Sequence, residues 1–217
     1  MKKPKYIETF GKKGEVINAK NLVPLDSNTE YGNLALKILC IAQSIEYINS
    51  RIDSVWEKFS RIRSETSDPI QLMINSQDIP LMMRDIEVVI YFIKRTIDDI
   101  IGLIYILDNG LPGKIEIDSI GKLLGGEVNK NLKYIKDEHE DFLDFLNKVA
   151  NSYKHSFVNY EKAYKAIGRD EPFVFYVTFP HNDLNKPMEF SFMALNEIVI
   201  LSQKFLFDAK KVLSEAE

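Results

Sequence analysis

LALKILCIAQSIEYINSRIDSVWEKFSRI, residues 34–62, is the stretch whose reading decides the fold. Apolar side chains recur at Leu34, Ile38, Ile41, Ile45, Ile48, Ile52, Val55, Phe59 and Ile62, in steps that alternate four and three. That spacing keeps one face of an α-helix apolar along its whole length. It predicts a first helix over about 30–63, roughly 50 Å long at ~1.5 Å per residue. A seam of this length needs a partner helix, within the chain or in a second copy. Asp26-Ser27-Asn28-Thr29 precedes it and offers capping side chains, and Ser67-Asp68-Pro69 ends the region.

Working outward, a second helix is expected over about 80–107. Its apolar set is wider: Met82, Ile86, Val89, Ile90, Ile93, Ile97, Ile100, Ile101, Ile104 and Leu107. Apolar residues on more than one side imply a central, largely buried helix. Asn109-Gly110 and Pro112-Gly113 terminate it. Asp118 is placed to cap a short helix over 119–124, stopped by Gly125-Gly126. A third long helical region spans about 127–155, and the run Lys136 to Asp141 is charged enough to break it in two. Phe173 to Phe179 is aromatic and β-branched, the composition of a strand. A polar turn from Pro180 to Pro187 leads to a returning strand, Met188 to Met193, and a last helix runs from Leu195 to about Leu213. The fold class expected is therefore mainly α: an antiparallel bundle of long helices with a β-hairpin before the C-terminal helix. Residues 1–29 read as an extended segment or weak hairpin around Gly11-Lys12-Lys13-Gly14. Residues 30–217 read as a single helical domain with a hairpin insertion at about 172–193.

Composition removes several function classes. The 217 residues are 45% hydrophobic and 28% charged, ordinary for a globular chain. A net charge of -4 supplies no global attraction for nucleic acid, so any such contact must be local. One cysteine, Cys40, excludes an intrachain disulfide and is expected as a buried thiol in the first helix. Three scattered histidines give no ligand spacing for structural zinc, Gly-rich phosphate loops are absent, and no metal or cofactor is expected. The lysines of the N-terminus are not followed by an apolar run, so the start does not read as a signal peptide. The most apolar stretch, Val88 to Leu107, is interrupted by Lys94, Arg95, Asp98 and Asp99, so no membrane span is expected and the cytoplasm is the default location.

One polar cluster stands out. On the wheel of the third long helix, Phe142, Phe145, Leu146, Val149 and Tyr153 share a face. Asp144, Asn147, Lys148, Asn151, Lys154 and His155 lie opposite. Asn151, Lys154 and His155 are related by three and four residues, so their side chains can meet. An imidazole beside a cation and an amide can hold a phosphate and move a proton. The plainer reading is a solvated helix face, its cations complementing the helix C-terminus.

The segment Leu146-Asn147-Lys148-Val149-Ala150-Asn151-Ser152-Tyr153-Lys154-His155-Ser156 resembles the motif region of HEPN-type helical domains. The resemblance implies a helical bundle, commonly a homodimer, with a polar motif at a helix end facing a cleft between protomers. It also implies metal-independent RNA cleavage of the kind found in bacterial toxin and antiphage systems. His155 would then assist proton transfer around the ribose 2′-hydroxyl, with Asn151 and Lys154 stabilising the phosphate. The family's active pattern opens with an arginine where this chain has Lys148, Val149 and Ala150. Lys148 is the cation in that position and lacks the planar fork of a guanidinium. Arg95 is the alternative source of one for phosphate binding. Arg95 and Asp99, like Lys94 and Asp98, also stand one helical turn apart and read first as structural ion pairs. The competing class is a non-catalytic helical module that binds a protein partner or a second copy of itself.

Overall fold

The structure is a computed structural model, and it describes residues 1–8, 32–65, 77–109, 114–155, 170–178, 185 and 187–215. The chain is mainly helical. Its elements are α1 (Gly32–Glu65), α2 (Asp78–Asn109), α3 (Ile120–Gly125), α4 (Lys130–His155), β1 (Phe173–Thr178), β2 (Glu189–Ala194) and α5 (Leu195–Glu215). The hairpin precedes the last helix, as its composition requires. The turn expected at Gly11–Gly14 and the Ser67-Asp68-Pro69 stop lie outside the described residues. Residues 1–8 form no regular element.

The heptad stripe does what its period dictates. Ile38, Ile41, Ile45, Ile48, Ile52, Val55, Phe59 and Ile62 are all buried. Removing one such side chain from water contributes about 2 kcal/mol, so the stripe is a principal source of stability. From Ile38 to Ile62 the stripe is buried within one chain, so this length of it does not call for a second copy. Cys40 differs from expectation. It is exposed, because it falls between Ile38 and Ile41 in sequence but off the seam those two residues define.

The described residues group into two compact units. Unit 1 holds 1–6, 48–91 and 148–200, and unit 2 holds 7–47, 92–147 and 201–217. α1, α2, α4 and α5 contribute to both.

In unit 1, α1 and α2 run antiparallel. Arg61 of α1 meets Asp78 at 2.8 Å, and Lys58 meets Asp85 further along α2 at 2.6 Å. Asp85 is buried, and it also accepts from Ser54 at 2.7 Å and Arg51 at 3.4 Å. Burial pushes its carboxyl up, but the bonds from Lys58, Ser54 and Arg51 outweigh that and hold it below the usual carboxylate range. The N-terminal residues are tied into the same unit. The Lys2 backbone donates to the Asp170 carbonyl at 3.0 Å, and Asn196 brackets residues 3–5 through its side-chain amide. β1 and β2 pair antiparallel, from Phe173 opposite Ala194 to Thr178 opposite Glu189.

In unit 2, α3 is held at both ends by charges from other helices. Asp118 was the expected cap, but it pairs with Lys122 at 2.9 Å instead. The N-cap residue, Ser119, makes no side-chain capping bond. Asp98 of α2 accepts from the Ile120 backbone N–H at 2.8 Å and takes the capping role from a distance in sequence. At the other end, Lys136 of α4 donates to the Leu124 carbonyl at 2.9 Å. Both charges have the sign that the helix dipole favours. Gly126 follows because a side chain there would meet the Lys122 carbonyl at 2.9 Å.

α4 is continuous through the charged run Lys136 to Asp141, against the expected break. The physical reason is that only one face of the run is polar. His139 falls in register with Leu132, Ile135, Phe142 and Leu146, and it is buried with them.

Candidate functional site

The final two turns of α4 carry the sequence-predicted cluster, and hydrogen bonding fixes how they are rotated. Val149 is buried, and Ser152, 3% exposed, donates from its hydroxyl to the Val177 carbonyl of β1 at 3.0 Å. With that face turned inward, Lys148, Asn151 and Lys154 are all exposed. Each is three residues from the next, so they form one contiguous polar strip along the helix. His155 is the last residue of α4. Its helical register falls between those of Lys148 and Asn151. The imidazole itself lies outside the described part of the structure.

Chemically the strip offers two ammonium groups and an amide facing solvent. Exposed lysines with an amide between them can bind an anion by charge and donated hydrogen bonds. Ser152 was read only as part of the motif string. The structure gives it the separate task of anchoring the helix to β1.

Arg95 is exposed on α2 and belongs to unit 2, whereas Lys148, Asn151 and Lys154 belong to unit 1. The expected Arg95–Asp99 pair is not formed. Asp99 instead meets Lys37 of α1 at 2.7 Å. The parallel expectation for Lys94 and Asp98 holds, at 2.7 Å. Lys94, Asp98 and Asp99 are therefore accounted for by α1, by α3 and by each other, and Arg95 stands exposed. Among the described residues no three His, Cys, Asp or Glu side chains cluster in a way that could hold a metal ion.

Two features escaped the sequence reading. The first is a buried pair in unit 2. His139, 3% exposed, sits 3.0 Å from the Asp208 carboxylate and packs edge-on against Phe205. Burial drives its pKa below the ordinary histidine value, although Asp208 pulls the other way. Enclosed this completely, the ring joins α4 to α5 and does not present itself to a substrate. The apolar period through 132, 135, 139, 142 and 146 was the signal available. It was masked by four acidic neighbours.

The second is aromatic. In β1 the aromatic and β-branched residues face the core, since Val174, Phe175, Tyr176 and Val177 are buried. In β2, however, Phe190 and Phe192 are about half exposed, at 49% and 52%. Met188 beside them is exposed as well.

No family model, no curated protein and no solved structure matches this chain. Among the described residues no helix is long and apolar enough to cross a membrane.

Proposed function

We propose that this chain is a HEPN-like cytoplasmic protein that binds RNA through the C-terminal face of α4 and cleaves it without a metal ion, in a bacterial toxin or defence setting. The observation that carries the reading is the exposed strip of Lys148, Asn151 and Lys154, held outward by the Ser152 bond to β1. In this reading Lys148 and Lys154 neutralise the backbone phosphates, and Asn151 donates to a non-bridging oxygen. His155 takes the proton of the ribose 2′-hydroxyl as that oxygen attacks phosphorus. The 5′-oxygen leaves, taking a proton from solvent water, and a 2′,3′-cyclic phosphate remains. Arg95 enters as a further phosphate contact only if RNA reaches α2. The active form in this reading is a homodimer.

The test uses the intact protein, a single-stranded RNA and EDTA. Cleavage is expected in EDTA, lost in His155→Ala and reduced at least tenfold in Lys154→Ala. RNA that stays intact, or is cut equally by His155→Ala, removes the enzymatic reading. A second reading, a non-catalytic interaction module, draws on a different observation: the half-exposed aromatics of β2.

A further inference from the structure

β1 and β2 form a sheet of two strands, and the two are not alike. β1 is covered on both faces. Val174 and Tyr176 are buried on one side, Phe175 and Val177 on the other. β2 is open. Among the described residues each strand pairs with the other alone, so both have a row of backbone N–H and C=O groups with no strand beside it, but only on β2 do exposed apolar side chains, Phe190 and Phe192, accompany that row. Phe190 and Phe192 point to the same face, opposite Val177 and Phe175. Their rings touch, with centroids 5.9 Å apart, and Phe192 also lies 5.8 Å from Phe173. An open edge with exposed apolar side chains is a template for another strand.

We infer that β2 pairs with β2 of a second copy of this chain, giving a continuous four-stranded antiparallel sheet across a two-fold axis at Ser191. The occupant is read from the strand itself. An axis perpendicular to the sheet keeps each face on its own side, so residues of like parity must oppose one another. Centred on Ser191, this sets Phe190 of one copy against Phe192 of the other, twice. Four phenylalanines then close over one face as cross-strand aromatic pairs. On the opposite face Glu189 meets Met193 of the other copy, so the two carboxylates do not confront each other. An extended nucleic acid suits the edge less well. Glu189 is the only charge on β2, and aromatic platforms for bases are accompanied by cations.

The contact is small. Four half-exposed phenylalanine rings contribute on the order of 400 Å² against the ~1,200 Å² of a stable interface. The pairing is therefore a weak, concentration-dependent dimer. The inference deepens the homodimer of the proposed function and supplies the interface that the α1 stripe, buried within its own chain, does not.

Sedimentation and light scattering of the full chain, from low micromolar to near millimolar concentration, read the mass directly. The expected result is a shift from the 25.1 kDa monomer toward twice that mass, abolished in Phe192→Lys. Cross-linking supplies a readout that needs no disruptive change. In a Cys40→Ser background, Ser191→Cys puts two thiols directly opposite, at about 4.5–5.5 Å between backbone positions and within disulfide reach. Glu189→Cys puts them about 14 Å apart. Rapid oxidation to a covalent dimer at 191 and not at 189 supports the pairing. Any one of three outcomes overturns it: a monomer at every concentration, a dimer indifferent to Phe192→Lys, or equal cross-linking at both positions. RNA binding that falls in Phe192→Lys while the protein stays monomeric also overturns it, and hands the edge to nucleic acid. The RNA-cleavage assay is separate, so loss of cleavage in His155→Ala can stand while this pairing fails, and the reverse.

Discussion

His139 shows how one side chain carries two kinds of information. Its place in the α4 stripe makes it a core residue, and its ring makes it titratable. Burial lowers its pKa from the ordinary 6.5, so the unfolded chain binds a proton at that position more readily than the folded one. Stability from this group is complete above about pH 6.5, where both states are neutral. It falls as the pH drops from there through the folded pKa. Urea denaturation is therefore expected to report a lower unfolding free energy at pH 5.5 than at pH 7.5. In His139→Gln, which keeps a donor for Asp208 but does not titrate, that difference should shrink. An unchanged pH dependence in the variant would assign it elsewhere. Asp85 works in the opposite part of the scale. Held below the usual carboxylate range, it contributes above about pH 3.8 and loses that contribution as acid approaches its folded pKa.

At the scale of the element, α3 is the instructive case. Six residues are too few for a helix to persist in water by propensity alone. The Asp98 carboxylate at its first turn and the Lys136 ammonium at its last supply what the local sequence does not. Asp98→Ala removes the cap and leaves Lys94 without its acceptor. It is expected to cost about 1–2 kcal/mol in chemical denaturation, with faster hydrogen exchange at the Ile120 amide. Asp98→Asn keeps an acceptor oxygen and should lose less than half as much. An equal loss in both variants would locate the effect in the charge and not in the cap. The same tertiary logic explains why α4 ignores its charged run. A helix is broken by backbone and packing conflicts, and here each polar residue of the run has solvent or a partner, the buried His139 through Asp208.

For the whole molecule, the net charge of -4 sets the terms of any encounter with RNA. Attraction cannot come from the overall field, and in the proposed reading it comes from the α4 strip. Two phosphate contacts, by Lys148 and Lys154, predict a slope of about -1.4 for log affinity against log salt with single-stranded RNA. Lys154→Ala should flatten it by about 0.7. A slope near zero would mean that the strip touches no phosphate. A much steeper one would bring other cations into the contact, Arg95 first among those exposed.

The helices were legible from the chain alone because burial of a face imposes a period, and the periods at 34–62 and 82–107 leave little else for those residues to do. The polar strip of α4 was legible for the same reason, as the complement of an apolar face. What only the tertiary structure decided is where charges find partners and which strand keeps its aromatic side chains exposed. Nothing local gives Asp99 to Lys37 instead of Arg95, or gives α3 its cap from Asp98, because those distances close only when separate helices pack. Nor does alternation in β2 say that Phe190 and Phe192 stay half in water. Period fixes which side chains share a face; only packing determines what, if anything, covers it.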